Sequence, residues 1–177
     1  MWKNGLIQSL KDPSLQVISS DIAVVIKDKY PKAKYHFLVL PKEDISSIFK
    51  LTRDHLPVLD ELRLLATNVI EVSGEKEKNF KIGFHAIPSM TRLHLHVISK
   101  DFISPCLKTK KHWNSFTTKL FIDYDKLYEE LEKTGSVKRI ESTEAKDLEN
   151  SPLKCNHCSF EAKTIPSLKD HLLSHLK

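Results

Sequence analysis

The sequence predicts an α+β protein: a five-stranded antiparallel sheet with flanking helices, followed by a small C-terminal ββα module. Three observations predict it. Short apolar runs with a period of two recur at 16–19, 22–27, 35–40, 80–86 and 92–99, the pattern of strands. One longer run, 52–72, repeats its leucines at helical spacing. Near the end, Cys155-x2-Cys158-x12-His171-x3-His175 places two thiolates on a knuckle and two imidazoles one helical turn apart, the donor spacing of a zinc finger.

Composition bounds the rest. With 177 residues, 40% of them hydrophobic, the chain has one ordinary core and a small appendage. We expect 1–138 to form the main domain, 139–151 a mobile polar linker and 152–177 the finger. No apolar run reaches the ~18 residues of a membrane span, and Met1 to Gly5 carry no signal-peptide core, so a soluble, intracellular protein is expected. Of three cysteines, two sit in the metal spacing, which argues against a disulfide framework; Cys106 reads as a small buried apolar residue. The net charge of +5 is mild, but Lys108, Lys110, Lys111 and His112 cluster, as do Lys27, Lys29, Lys32 and Lys34. Such clusters attract phosphates, or serve as a solvated basic face.

Taken in order, Trp2, Leu6, Ile7 and Leu10 fall at helical spacing before the stop at Asp12-Pro13. After the first strands, joined by the turn Tyr30-Pro31-Lys32-Ala33, Asp44 is expected to cap a short helix. The turn from Pro41 to Ser46 offers backbone N–H groups to a phosphate, with Lys42 adding charge. Helix 52–72 turns Leu56, Leu59, Leu62, Leu65, Val69 and Val72 inward, accepts Pro57 in its first turn and closes at Gly74. The loop Ile87-Pro88-Ser89-Met90 feeds the last main strand and can present the Ser89 hydroxyl to phosphorus oxygens. The segment 99–116 is expected over the surface, with Trp113 and Phe116 anchoring it or stacking on a base; a helix over 123–134 ends at Gly135.

The chemistry concentrates around His94. Alternation places Arg92, His94 and His96 on one strand face and Leu93, Leu95 and Val97 on the other. A neutral imidazole attacks phosphorus near pH 7 without first losing a proton. A metal held by His94 and His96 is disfavoured, because no third ligand lies nearby in sequence and Arg92 would repel a cation. In the finger, Ala162 stands where a larger apolar residue is usual, with Phe160 a substitute from a shifted position. The base-reading positions would be Thr164, Ser167 and Asp170, none of them an Arg or Lys, so the finger is expected to grip backbone or brace the main domain.

Leu93-His94-Leu95-His96-Val97-Ile98 resembles the histidine-triad signature, with Arg92 in place of the first His. The segments Ile26 to Ala33, Gly83 to Met90 and Lys110 to Phe116, with the Cys/His tail, resemble the aprataxin family of DNA-adenylate hydrolases within that superfamily. The resemblance implies a histidine-triad fold and His94 as the nucleophile that accepts AMP, assisted by His96, His85 and Ser89. It implies AMP contacts from Asp28, which would take the ribose hydroxyls, and from Lys32, His36, Ser89 and Met90. DNA contacts would come from Lys42, Asp44, Ser46, Ile103, Ser104, Lys108 and Lys111, with Trp2 either a wedge at a break or a cover for the sheet. It agrees with the structural zinc ion that the spacing of Cys155, Cys158, His171 and His175 predicts, and further implies nicked or 5′-adenylated DNA as partner with little sequence preference, AMP as product, a monomer, and, from the substrate, the nucleus as compartment with the cytoplasm as a second one. The N-terminal phosphopeptide-binding domain of longer animal relatives is not expected in this chain. Two other readings stay open: a general nucleotide phosphoramidase or dinucleoside polyphosphate hydrolase, and a non-catalytic DNA-binding protein resting on the finger.

Overall fold

The computed structural model describes Leu6 and residues 12–176. The expected N-terminal helix and Trp2 lie outside the described residues apart from Leu6, which is buried against Val24, Ile26, Leu38 and Leu40. Strands β1 (Gln16–Ser19), β2 (Ala23–Lys27) and β3 (His36–Pro41) form an antiparallel meander. Helix α1 (Leu56–Val72) then leads to β4 (Phe80–His85) and β5 (Leu95–Ser99), which pair antiparallel with each other. Helix α2 (Lys110–Thr117), strand β6 (Phe121–Asp123) and helix α3 (Tyr124–Thr134) complete the main domain. The sheet order is β1-β2-β3-β5-β4-β6.

All five expected strands are present, and β6 extends the sheet to six. Three residues are too few for a periodic signal, so β6 was invisible to patterning. Its approach depends on Gly83, where a Cβ would stand only 2.3 Å from the Ile122 carbonyl oxygen.

Side-chain alternation divides the core. Ala23, Val25, Phe37, Val39, Leu95 and Val97 face α1 and α3. Helix α1 buries Leu59, Leu62, Leu65, Ala66, Val69 and Ile70, while Val72, expected inward, is exposed at the edge of the apolar arc. Helix α3 ends on Gly135 at φ 77°, as its spacing implied. The opposite sheet face carries Ile98 and the histidines, and α2 covers it with Trp113 and Phe116, both almost fully buried. These two aromatics are therefore anchors, not base-stacking platforms.

The expected mobile linker is a docked helix, α4 (Ser142–Glu149). Its polar composition concealed this, because it buries only Ala145 and is held through its backbone. Asn114 Nδ2 donates to the carbonyls of Glu149 at 3.0 Å and Ser151 at 2.9 Å, and Lys111 Nζ lies 2.8 Å from the Glu149 carboxylate. The C-terminal module follows as β7 (Leu153–Lys154), β8 (Glu161–Ala162) and α5 (Ile165–Leu172). Its small core of Leu153, Ala162, Leu168 and Leu172 is continuous with Ile98, Phe102, Leu107 and Trp113 of the main domain. Trp113 Nε1 donates to the Lys154 carbonyl at 3.0 Å, and Asn156 Nδ2 to the Lys100 carbonyl at 3.0 Å. The module is a brace, and Trp113 supplies the bulk that Ala162 lacks. Phe160 does not substitute for it; the ring stacks on His171, 3.9 Å between centroids. Among the described residues no helix is long and apolar enough to cross a membrane.

Candidate active site

The expected stripe of Arg92, His94 and His96 does not form, because β5 begins only at Leu95. Arg92 adopts φ 120°, a region that disfavours side chains and needs external support. The support is its own guanidinium, whose Nη2 donates to the carbonyls of Pro41, Lys42 and Glu43 at 3.0, 2.8 and 3.2 Å while Nη1 meets the Asp44 carboxylate at 3.1 Å. The backbone adds Arg92 N–H to Ser46 O at 2.9 Å and Leu93 N–H to Ile45 O at 2.7 Å. So the turn holding Lys42, Asp44 and Ser46 buttresses the segment before His94 and lies outside the histidine cavity. Asp44 does not cap a helix; the short 3-10 turn Ile48–Lys50 starts from Ser47.

That strained bend aims His94. Its Nδ1 lies 2.8 Å from the Arg92 carbonyl, which accepts only from an N–H, so the hydrogen is assigned to Nδ1 and the lone pair to Nε2. The adjoining strands deliver the other imidazoles. Gly83 pairs with His96, and Leu38 pairs with His96 from the other side, which brings His85 and His36 diagonally across the same face. His85 and His96 ring centroids are 4.3 Å apart, and Phe116 sets its edge against His36, His85 and His96.

The hydrogen-bond network also assigns the second pair. The Lys32 backbone N–H donates to His36 Nδ1 at 3.2 Å, so His36 carries its proton on Nε2 and donates to His96 Nδ1 at 2.9 Å. His96 then carries its own proton on Nε2, a buried atom with no partner among the described residues. An unpaired buried donor is costly unless a ligand meets it. His85 Nε2 is likewise buried and unpaired.

Burial is the main cause of depressed imidazole basicity here. It pushes His36 down to about 4 against the nearby Asp28 carboxylate, and pushes His85 down to about 3, with His94, His36 and Lys32 opposing a charge there as well. It lowers His94, opposed by the Arg92 carbonyl and Asp28, and lowers His96 well below the ordinary value. All four rings are therefore neutral near pH 7, the state a nucleophilic imidazole requires.

The histidines open into a cavity of about 750 Å³. Asp28, Lys32, Ser89 and Met90, expected beside the nucleotide, line it, as do Lys108 and Lys111. Asp28 Oδ1 accepts from the Tyr30 N–H at 2.7 Å, and its Oδ2 lies 3.4 Å from His36. Cys106 lines the cavity instead of filling core, and His112, whose Nδ1 accepts the Lys108 N–H at 3.2 Å, stands on the same wall. Neither was separable from its neighbours by spacing. The expected DNA contacts at Ile103 and Ser104 are otherwise engaged. The Ile103 N–H bonds Asp101 at 2.9 Å, and the buried Ser104 hydroxyl donates to Pro31 O at 2.6 Å while accepting the Cys106 N–H at 3.1 Å.

Two clusters bring potential ligand atoms together, and one of them suits a cation. Cys155, Cys158, His171 and His175 bring four ligand atoms within 4.8 Å of one another, with Cys158 Sγ to His171 Nε2 at 3.2 Å and Cys155 Sγ to His175 Nε2 at 3.5 Å. Two soft thiolates and two imidazoles, four donors in all, are the ligand set that zinc prefers. The two imidazoles do not share one regular helix, since His175 lies on the 3-10 turn Leu173–Leu176 beyond α5. Asp28, His36 and His96 form the second set, also within 4.8 Å. His94 is not part of this set, so no third ligand joins the His94–His96 pair among the described residues, and in the second set the two imidazoles bond each other at 2.9 Å.

Comparison with known proteins agrees with this geometry. A family model described as "Scavenger mRNA decapping enzyme C-term binding" matches residues 1–112, and one described as "C2HE / C2H2 / C2HC zinc-binding finger" matches residues 117–177. An aprataxin-like protein of Drosophila melanogaster is 57% identical over 176 residues, covering 99% of this chain and 27% of that one. Aprataxin of Danio rerio is 49% identical over 176 residues, covering 99% and 54%. An aprataxin-like protein of Saccharomyces cerevisiae is 32% identical over 184 residues, covering 86% and 83%. The crystal structure of the aprataxin ortholog Hnt3 in complex with DNA superposes with a TM-score of 0.77 at 24% identity, covering 98% of this chain and 92% of that one, and shares the fold. The chain spans about half or less of the length of the animal relatives it matches.

Proposed function

Because this chain belongs to the aprataxin family of the histidine-triad superfamily, we propose that it hydrolyses 5′-adenylated DNA ends, releasing AMP and restoring the 5′-phosphate. The observation that carries the reading is the pairing of a free His94 Nε2 lone pair with an unpaired His96 Nε2–H in one cavity. His94 Nε2 attacks the phosphorus of AMP, forming a P–N bond as the bridging P–O bond breaks and its electron pair leaves with the DNA 5′-phosphate. The cationic imidazole that results is stabilised by the Arg92 carbonyl accepting from Nδ1. His96 Nε2–H donates to the phosphorus oxygens as charge builds. The leaving phosphate is a weak base, so no strong general acid is needed. Water then attacks the same phosphorus and releases a proton to solvent as the P–O bond forms, the P–N bond breaks with its electron pair returning to His94 Nε2, and AMP leaves.

Lys32, Lys108 and Lys111 on the cavity wall supply the positive field for a phosphodiester backbone. The Hnt3 structure with bound DNA supports DNA as the partner. Zinc on Cys155, Cys158, His171 and His175 fixes the brace; the family resemblance implies a monomer, and a DNA substrate implies the nucleus, with the cytoplasm as a second compartment. Incubating the protein with a nicked duplex bearing 5′-AMP tests the reading. AMP release by wild type and none by His94→Ala, with nick binding retained, is expected. Equal turnover of diadenosine polyphosphates would favour a general nucleotide hydrolase, and no release from any substrate would leave a binding protein.

A further inference from the structure

His96 can present a donor to the cavity only while His36 holds its own proton on Nε2, and one backbone N–H decides that. The deciding peptide joins Pro31 to Lys32. Its N–H donates to His36 Nδ1 at 3.2 Å, and its carbonyl oxygen, on the opposite side of the same trans plane, accepts from Ser104 Oγ at 2.6 Å. A hydrogen bond to the carbonyl of an amide polarises the N–H across the plane, and it also fixes the plane's rotation. Ser104 is only 5% exposed, so water does not replace its hydroxyl.

Ser104 is held in turn from the C-terminal module. Lys169, on α5, donates Nζ to the Ser104 carbonyl at 2.6 Å. Leu168, next to it, is fully buried in the cluster shared with Phe102 and Leu107, which flank this loop. The bonds therefore run without a gap from α5 to the cavity: Lys169 to Ser104, Ser104 to the Pro31–Lys32 peptide, the peptide to His36, and His36 to His96 at 2.9 Å. We propose that the C-terminal module sets the tautomer of the His36–His96 pair through Lys169 and Ser104, which are positioning residues for the phosphorus chemistry. This gives the module a part in the reaction beyond holding DNA or stabilising the fold. It rests on the AMP-transfer reading for its kinetic consequence and on geometry alone for the tautomer.

The Asp28 carboxylate competes with the relay. Lying 3.4 Å from His36 Nδ1, it would draw a proton onto that nitrogen whenever the Lys32 N–H turned away. His36 Nε2 would then become an acceptor, His96 would donate back to it, and the cavity would face a lone pair in place of a donor. Loss of either anchor should populate this reversed state.

The test uses the full chain with its metal, labelled with 15N histidine, in wild type, Ser104→Ala, Lys169→Met and Lys169→Arg. In wild type, the imidazole nitrogen shifts should show His36 and His96 each as a single Nε2–H tautomer. Ser104→Ala and Lys169→Met should each show a mixture with the Nδ1–H form, and Lys169→Arg should restore the single form. On adenylated nicked DNA, both loss variants should lower kcat about tenfold, the scale of one lost hydrogen bond, with KM within about twofold. Metal content measured on each sample confirms that Lys169→Met keeps its finger, and Ser104→Ala leaves every finger side chain in place. A single wild-type tautomer retained in either loss variant overturns the proposal. Absence of turnover in wild type would defeat the proposed reaction, while the 15N spectra would still decide the relay.

Discussion

His94 Nδ1 lies 2.8 Å from the backbone carbonyl of Arg92, the residue two before it, so the His94 imidazole is oriented by its own chain and not by another side chain. The Arg92 guanidinium bonds three carbonyls and one carboxylate to hold the φ of 120° that this carbonyl needs. At this position of the histidine-triad signature the side chain points away from the histidine cavity.

Arg92→Lys should therefore fail nearly as badly as Arg92→Ala, because one ammonium cannot span the fork of acceptors. Each should lose about 2–4 kcal/mol of unfolding free energy and most of kcat. Urea denaturation and single-turnover AMP release check this; full activity in Arg92→Lys would contradict the geometry.

The buried imidazoles make stability pH-dependent. Burial holds His36 near about 4 and His85 near about 3, while an unfolded histidine titrates near ~6.5. Between these values the unfolded chain binds more protons than the folded one, so stability is full above ~6.5 and falls as pH drops toward 4. The unfolding free energy measured in urea should decline over that window by on the order of a few kcal/mol. His85→Phe, which keeps an aromatic ring against Phe116 but cannot titrate, should show a shallower decline.

Metal removal should not unfold the finger alone. Leu153, Leu168 and Leu172 share a cluster with Trp113 and Phe102, so chelation should lower the melting temperature of the whole chain in one cooperative transition. Calorimetry with and without a chelator checks it; an unchanged main transition would mean that the two cores are independent.

Asn114→Ala removes the two amide bonds from Asn114 to the end of α4 and leaves the Glu149 and Ser151 carbonyls without them. The expected cost is about 1–3 kcal/mol. Amide exchange across 142–149 should rise far more than exchange in β3 or β5.

Much of this was legible in local pattern. Period-two runs located β1 to β5, the helical period located α1 and α3, and the Cys/His spacing located four ligands that the fold does converge. Those signals persist because each reports a constraint within one element. The segment of α4 gave none, since its attachment is made by Asn114 and Lys111 from another helix. Nor did β6, admitted by a glycine on its neighbour.

The chain's own order of residues determined that His94 and His96 would stand together and that Cys155, Cys158, His171 and His175 would converge in a zinc-finger module. Only the tertiary structure decided which nitrogen of each histidine is free, why Arg92 faces the 41–44 turn, and that Ser104 serves His36. Tautomer and orientation are set by hydrogen bonds between residues far apart in sequence, and spacing along one chain carries no information about which atoms will meet across a fold.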